Sequence, residues 1–152
     1  MAGIQTMATK LTLVKAGSES ADTVLAHLTS IGEQSTEAEE IDVTTLDSPN
    51  GAKEYIQGAK DPGTVEISAN NCFDGQVSII EALFESGAIR TWKETYPTTP
   101  DGTVGTLTYT GYVSAFTYGE ATTDGLASIT FSIRLSGQPV YEEEAENAGN
   151  NL

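Results

Sequence analysis

Residues Leu126 to Ser136 alternate without a break. Ala127, Ile129, Phe131, Ile133 and Leu135 are apolar; Ser128, Thr130, Ser132, Arg134 and Ser136 are polar. A period of two belongs to a β-strand, whose successive side chains point to opposite faces. This stretch therefore demands a sheet with one buried and one hydrated face. Thr64–Asn70 repeats the pattern, with Val65, Ile67 and Ala69 on one face and Thr64, Glu66 and Ser68 on the other. Further strands are expected at Lys10–Ala16, Thr23–Ile31, Glu33–Val43, Ile89–Tyr96 and Gly105–Tyr118, the last with a bend near Gly111.

One helix interrupts the strands. Over Asp74–Gly87, Val77, Ile80, Leu83 and Phe84 recur at helical spacing. Asp74 is placed to cap the start and Gly87 to close the end. The fold class that follows is mainly β with one flanking α-helix, a β-sandwich or small barrel. At 152 residues the chain suits one domain. Its expected organisation is a flexible N-terminal arm over 1–9, a folded domain over 10–140 and an acidic, disordered tail over 141–152.

The segment from Ile41 to Gly63 is far longer than a hairpin connection needs. Loops of this length tend to be functional. It has internal order: Thr44-Thr45-Leu46-Asp47-Ser48, a Pro-Asn-Gly turn at 49–51, then Tyr55 and Ile56, and a second turn at Asp61-Pro62-Gly63. A long loop over 44–62 that keeps a Leu, a Tyr and an Ile is expected to dock on another copy of the same protein.

Charge narrows the function classes. Twenty-two acidic residues face seven basic ones, a net charge of −15. Only four of the acids lie in the tail, so the body is acidic too. Such a surface does not attract polyphosphate or an anionic membrane, and no basic patch for nucleic acid is present. No membrane binding is expected. The opening MAGIQTMATK has no apolar leader core, so synthesis in a cytoplasm is expected.

Catalytic chemistry has no support. His27 is the single histidine and sits inside an apolar strand, which points to a core or partly satisfied role. Cys72 is the single cysteine and reads as a buried thiol. Neither a thiol nor a histidine metal site can be assembled within the chain, the Asp spacing matches no calcium loop, and no phosphate-binding loop follows the glycines. No cofactor and no metal are expected.

The order of these elements resembles the tail tube (major tail) proteins of long-tailed bacteriophages. The residues that carry the resemblance are Ile41–Ser48, Tyr55-Ile56 with Gly58, Asp61-Pro62-Gly63 entering a strand, Gly111-Tyr112-Val113-Ser114, the loop around Gly119–Asp124, and Leu135–Val140. The resemblance implies a β-sandwich that assembles into homo-hexameric rings. These stack into a tube in the virion tail, through which DNA passes without specific binding. It implies tape-measure, tail-tip and tail-terminator proteins as further partners, and synthesis in the host cytoplasm. The candidate inter-subunit residues are then Thr44, Thr45, Leu46, Asp47, Tyr55, Ile56 and Pro62. The candidate lumen-facing residues are Glu37, Glu39, Glu66, Ser128, Thr130, Ser132 and Arg134.

Two other classes fit the same sequence features. One is a different ring, tube or virion β-protein: a secretion-tube-like ring, a head decoration protein or a head-tail joining protein. The other is a β-sandwich binding module, for which Trp92 and Tyr96 are the candidate aromatics; their expected role is to pack at the sheet end.

Overall fold

The computed structural model describes residues 3, 5–17 and 19–145. Ten strands and one helix follow in the order β1 (Lys10–Leu13), β2 (Thr23–Val24), β3 (Leu28–Ile31), β4 (Glu37–Asp42), β5 (Tyr55–Asp61), β6 (Thr64–Asn70), α1 (Gln76–Ser86), β7 (Arg90–Thr95), β8 (Thr103–Tyr118), β9 (Ser128–Leu135) and β10 (Val140–Ala145). Eight of the strands form one antiparallel sheet with the path β2-β1-β7-β8-β9-β6-β3, and β10 joins at β8. The sheet does not close on itself, so β2 and β3 remain at its ends.

Alternation decides which face is buried. In β6, Val65, Ile67 and Ala69 are buried; in β9, Ile129, Phe131, Ile133 and Leu135 are. They share the core with Leu11, Leu13, Trp92, Tyr109 and Val113. Ile80 and Leu83 of α1 close this core from the helix side, and α1 packs on β8. Trp92 is fully buried, and its indole N–H donates to the Gly111 carbonyl at 3.2 Å. It is therefore a core residue, not part of a ligand-binding aromatic cluster.

The long strand β8 organises the molecule. One edge pairs with β7 over residues 106–111. The other pairs with β9 over 111–118 and β10 over 103–108. Gly111 lies where β7 pairing ends and β9 pairing begins. The ladder irregularity falls slightly later, between Val113 and Ala115, so the bend expected near Gly111 is displaced towards a bulge.

Several expectations are corrected. The strand expected over Thr23–Ile31 is broken at His27, which adopts φ +63°. Its ring is not in the core: Nε2 lies 3.2 Å from Asp74 Oδ2 and the side chain is partly exposed. Cys72 is exposed, not buried. The helix starts at Gln76 behind a left-handed Gly75; Asp74 accepts the Gln76 N–H, and Gly87 closes the end at φ +65° as expected. The sequence reading ended the folded domain at 140. Val140–Ala145 instead form β10, because six consecutive residues find a free edge of β8. The rest of the expected tail, 146–152, lies outside the described residues.

Candidate self-assembly interface

The expected long loop is largely a β-hairpin. β4 and β5 pair in antiparallel register, with Ile41 opposite Ile56 and Asp42 opposite Tyr55. The alternation of β4 is poor because it has no buried face: all six of its residues are exposed. Neither strand pairs with the main sheet. Tyr55 and Ile56 therefore stand on a strand rather than in a loop.

The tip is braced by its own polar groups. Glu54 N–H donates to Thr44 Oγ1 at 2.8 Å, and Thr45 N–H to Ser48 Oγ at 2.9 Å. Ser48 Oγ donates to the Glu54 carboxylate at 2.7 Å. Asp42 accepts from Thr44, whose hydroxyl and N–H hold its carboxyl below the usual aspartate range. A single 3-10 turn spans Pro49–Gly51, with Asn50 at φ 55°. The pattern of Thr, Asp and Ser before Pro-Asn-Gly supplies these local acceptors. On this rigid frame Leu46 is fully exposed, and Ile41, Val43, Tyr55 and Ile56 are each more than a third exposed. Ile41, Val43 and Ile56 fall on one face of the hairpin, and Tyr55, opposite Asp42, on the other.

Pro62 lies apart from these residues, at the base. Its carbonyl accepts from the Gln34 side chain at 2.9 Å. There Asp61 accepts from Gly63 N–H and from Arg134, and both hold its carboxyl below the usual range, the Gly63 contact more strongly.

The expected lumen residues separate into two places. Ser128, Thr130, Ser132 and Arg134 line the face of β9 opposite the core. In register beside them on β6 are Asn70, Ser68, Glu66 and Thr64. Ser68 and Thr130 hydroxyls are 3.3 Å apart. This is one continuous polar face, with hydroxyls in its middle and Arg134 at its margin beside Asp61. Glu37 and Glu39 do not belong to it; they lie on β4 in the hairpin.

An exposed aromatic went unmarked in the sequence. Phe73 stands in the turn between β6 and α1, is 84% exposed, and adopts φ +58°. The signal was available in Asn71-Cys72-Phe73-Asp74-Gly75, an aromatic inside a run of turn formers.

Glu94 is a further polar residue that sequence reasoning missed. It is 5% exposed on β7, beside an open cleft of about 900 Å³ lined in part by Leu28, Ile31, Tyr96 and Leu107. Burial pushes its carboxyl above the usual glutamate range. The Tyr109 hydroxyl beside it is buried without a well-formed hydrogen bond, and burial pushes it well above the usual phenol range. Among the described residues no cluster of metal-ligating side chains occurs.

Residues 9–141 match the family described as lambda phage tail tube protein, TTP. No curated protein sequence matches. Among solved structures, the chain is similar to one in the tail of an empty gene transfer agent particle, computed with helical refinement and C6 symmetry. That likeness has 20% identity, covers 88% of this chain and 94% of that one, and has a TM-score of 0.65. It is also similar to the SPP1 tail tube determined by solid-state NMR and cryo-EM (12% identity, 98% and 84% covered, TM-score 0.69). A third likeness is to a chain of the anti-feeding prophage baseplate (7% identity, 91% and 93% covered, TM-score 0.64). At these identities the likeness is one of fold.

Proposed function

Since this chain belongs to the lambda phage tail tube protein family, with a structural role in the virion tail, we propose that six copies close into a ring and that rings stack into a DNA-conducting tube. The observation that carries this reading is the two-faced β6–β9 pair. One face is fully buried core and the other is a hydroxyl-lined polar surface. A wall for passing DNA needs hydration without cationic traps, because bound phosphates would hold the duplex. Arg134 is the one cation on this face, and Asp61 neutralises it.

The open sheet supports ring closure. Among the described residues, β2, β3 and β10 each leave one edge of the sheet unpaired. Joining edges between neighbours satisfies their backbone groups and removes the aggregation hazard. The hairpin, with its apolar tip, is the element that reaches a neighbouring copy. Ser128, Thr130, Ser132 and Glu66 face the lumen in this reading; Glu37 and Glu39 travel with the hairpin. Tape-measure, tail-tip and tail-terminator proteins contact the tube's interior and ends, and the chain is made in the host cytoplasm before assembly.

Electron microscopy of the purified protein at high concentration tests this, with size-exclusion chromatography on the same sample. Hollow tubes or stacked six-membered rings are expected. A stable trimer that never stacks would overturn the reading in favour of a head decoration protein.

A further inference from the structure

Glu94 occupies a position that the sheet pattern reserves for an apolar side chain. On the core face it lies in register between Leu11 of β1 and Leu107 of β8. The row beyond it, Leu13, Trp92 and Tyr109, is buried core. A carboxyl in such a row costs stability unless something pairs with it. None of the described ion pairs includes Glu94. The Tyr109 hydroxyl beside it is buried without a hydrogen-bond partner. Two polar groups left in this state within their own subunit point to a group supplied from outside.

Open space lies next to them. Glu94 lines the cleft of about 900 Å³ that also borders the end of β3 and the leader to β1. That volume is in the range of small-molecule sites. Glu94 is 5% exposed and forms the floor. Glu33 is exposed and stands at the rim. Leu28, Ile31 and Leu107 give the cleft apolar wall. Its charged lining residues are both acidic, and no described Lys or Arg borders it.

This arrangement selects its ligand by charge and shape. An anion meets two carboxylates, and a neutral molecule leaves Glu94 without a counter-charge. An ammonium on an aliphatic stem answers both features. The stem covers the apolar wall, and the ammonium donates charge-assisted hydrogen bonds to the buried carboxylate. A second ammonium along the same stem meets Glu33. We propose that the cleft binds a linear aliphatic polyamine, with one ammonium on Glu94 and another on Glu33. The site is built within one subunit, so the inference stands or falls separately from the tube reading.

Calorimetric titration of the full chain with diaminobutane at neutral pH tests this, with butanediol as the uncharged analogue. Saturable binding of the diamine and none of the diol is expected, and the diamine should raise the thermal melt. Glu94→Gln keeps the side-chain shape, removes the charge and should weaken binding roughly tenfold or more. Glu33→Gln, at the exposed rim, should weaken diaminobutane while leaving n-butylammonium unaffected. Glu85→Gln, on the exposed face of α1, removes an equal charge away from the cleft and should change nothing. No saturable binding, or equal binding of the diol, overturns the inference. Equal weakening by Glu94→Gln and Glu85→Gln overturns it too, because the diamine then answers only to the overall negative charge. Tighter binding of Nα-acetyl-lysine amide than of diaminobutane overturns it in favour of a lysine side chain from a protein partner.

Discussion

Arg134 Nη2 lies 3.0 Å from Asp61 Oδ1, and this pair ties the base of the hairpin to the polar face of the central sheet. Both side chains are well exposed, so solvent screens the attraction and its main effect is on orientation rather than stability. Replacing Arg134 with Gln is expected to leave the thermal melt at neutral pH almost unchanged while reducing tube yield. Acid should act on the same contact. The Asp61 carboxyl is held below its ordinary value of 3.8, by Gly63 first and Arg134 second. Its contribution is complete above that value and is lost as pH falls through the lower, folded one. Wild-type tube yield measured against pH checks this; a yield in Arg134→Gln equal to wild type would show that the pair does not aim the hairpin.

The core prediction concerns Phe131, whose ring centroid lies 6.2 Å from that of Trp92. Truncation removes apolar contacts and leaves a cavity between two sheet regions that cannot readily collapse. Phe131→Ala should cost about 3–5 kcal/mol, read from urea midpoints. A loss below about 1 kcal/mol would mean that the region repacks.

Gly111 is predicted to tolerate no side chain. A Cβ there would run into the Arg134 carbonyl and crowd Ile133, both on the paired strand β9. Relief requires parting β8 from β9 at the point where β7 pairing hands over to β9. Gly111→Ala should destabilise by about 1–3 kcal/mol, as overpacking does. Gly102→Ala is a contrasting control, because its added Cβ meets nothing and its cost comes from φ +87° alone.

Much of the fold was legible because burial writes itself as period. Ile129, Phe131, Ile133 and Leu135 are all buried and their polar neighbours are not. Val65, Ile67 and Ala69 behave likewise. The hairpin was harder to read. Its strands bury nothing within the subunit, so Glu37, Glu39 and Glu40 could crowd together inside the strand expected over Glu33–Val43, and no burial marked β5 as a strand within the expected loop. β10 was obscured for a related reason: Glu142, Glu143 and Glu144 are all exposed, and backbone pairing to β8 alone defines them as a strand. His27 misled because its neighbours are apolar, while its positive φ and its partner Asp74 depend on tertiary placement.

Glu94 gives a prediction with the opposite pH sense from Asp61. Burial makes its carboxyl titrate above the ordinary 4.5, with a smaller opposing influence from Tyr109. Between those two values the folded state keeps a proton that the unfolded state has released. Stability therefore falls as pH rises from 4.5 through the folded value. Glu94→Gln removes the ionisation. Its urea midpoint should fall less than the wild-type midpoint as pH is raised from about 4.5 to 8. Parallel curves would show that Glu94 is solvated through the adjacent cleft.

The hairpin tip can be removed without touching the ladder that supports it. Asp42 still pairs with Tyr55, and Ile41 with Ile56, if residues 44–53 are replaced by a two-residue Asn-Gly turn between Val43 and Glu54, which already face each other. The core is far from this change: every core residue lies outside β4 and β5. The shortened chain should therefore keep a cooperative melt close to that of the wild type. It loses Leu46 and the braced Thr44–Ser48 turn, the tip proposed to reach a neighbouring copy. Rings or monomers are expected by electron microscopy where the wild type gives tubes. A chain that melts early would show that the tip supports the fold. A chain that melts normally and still makes full-length tubes would move the stacking contact elsewhere, with the free edges of β3 and β10 the first places to look.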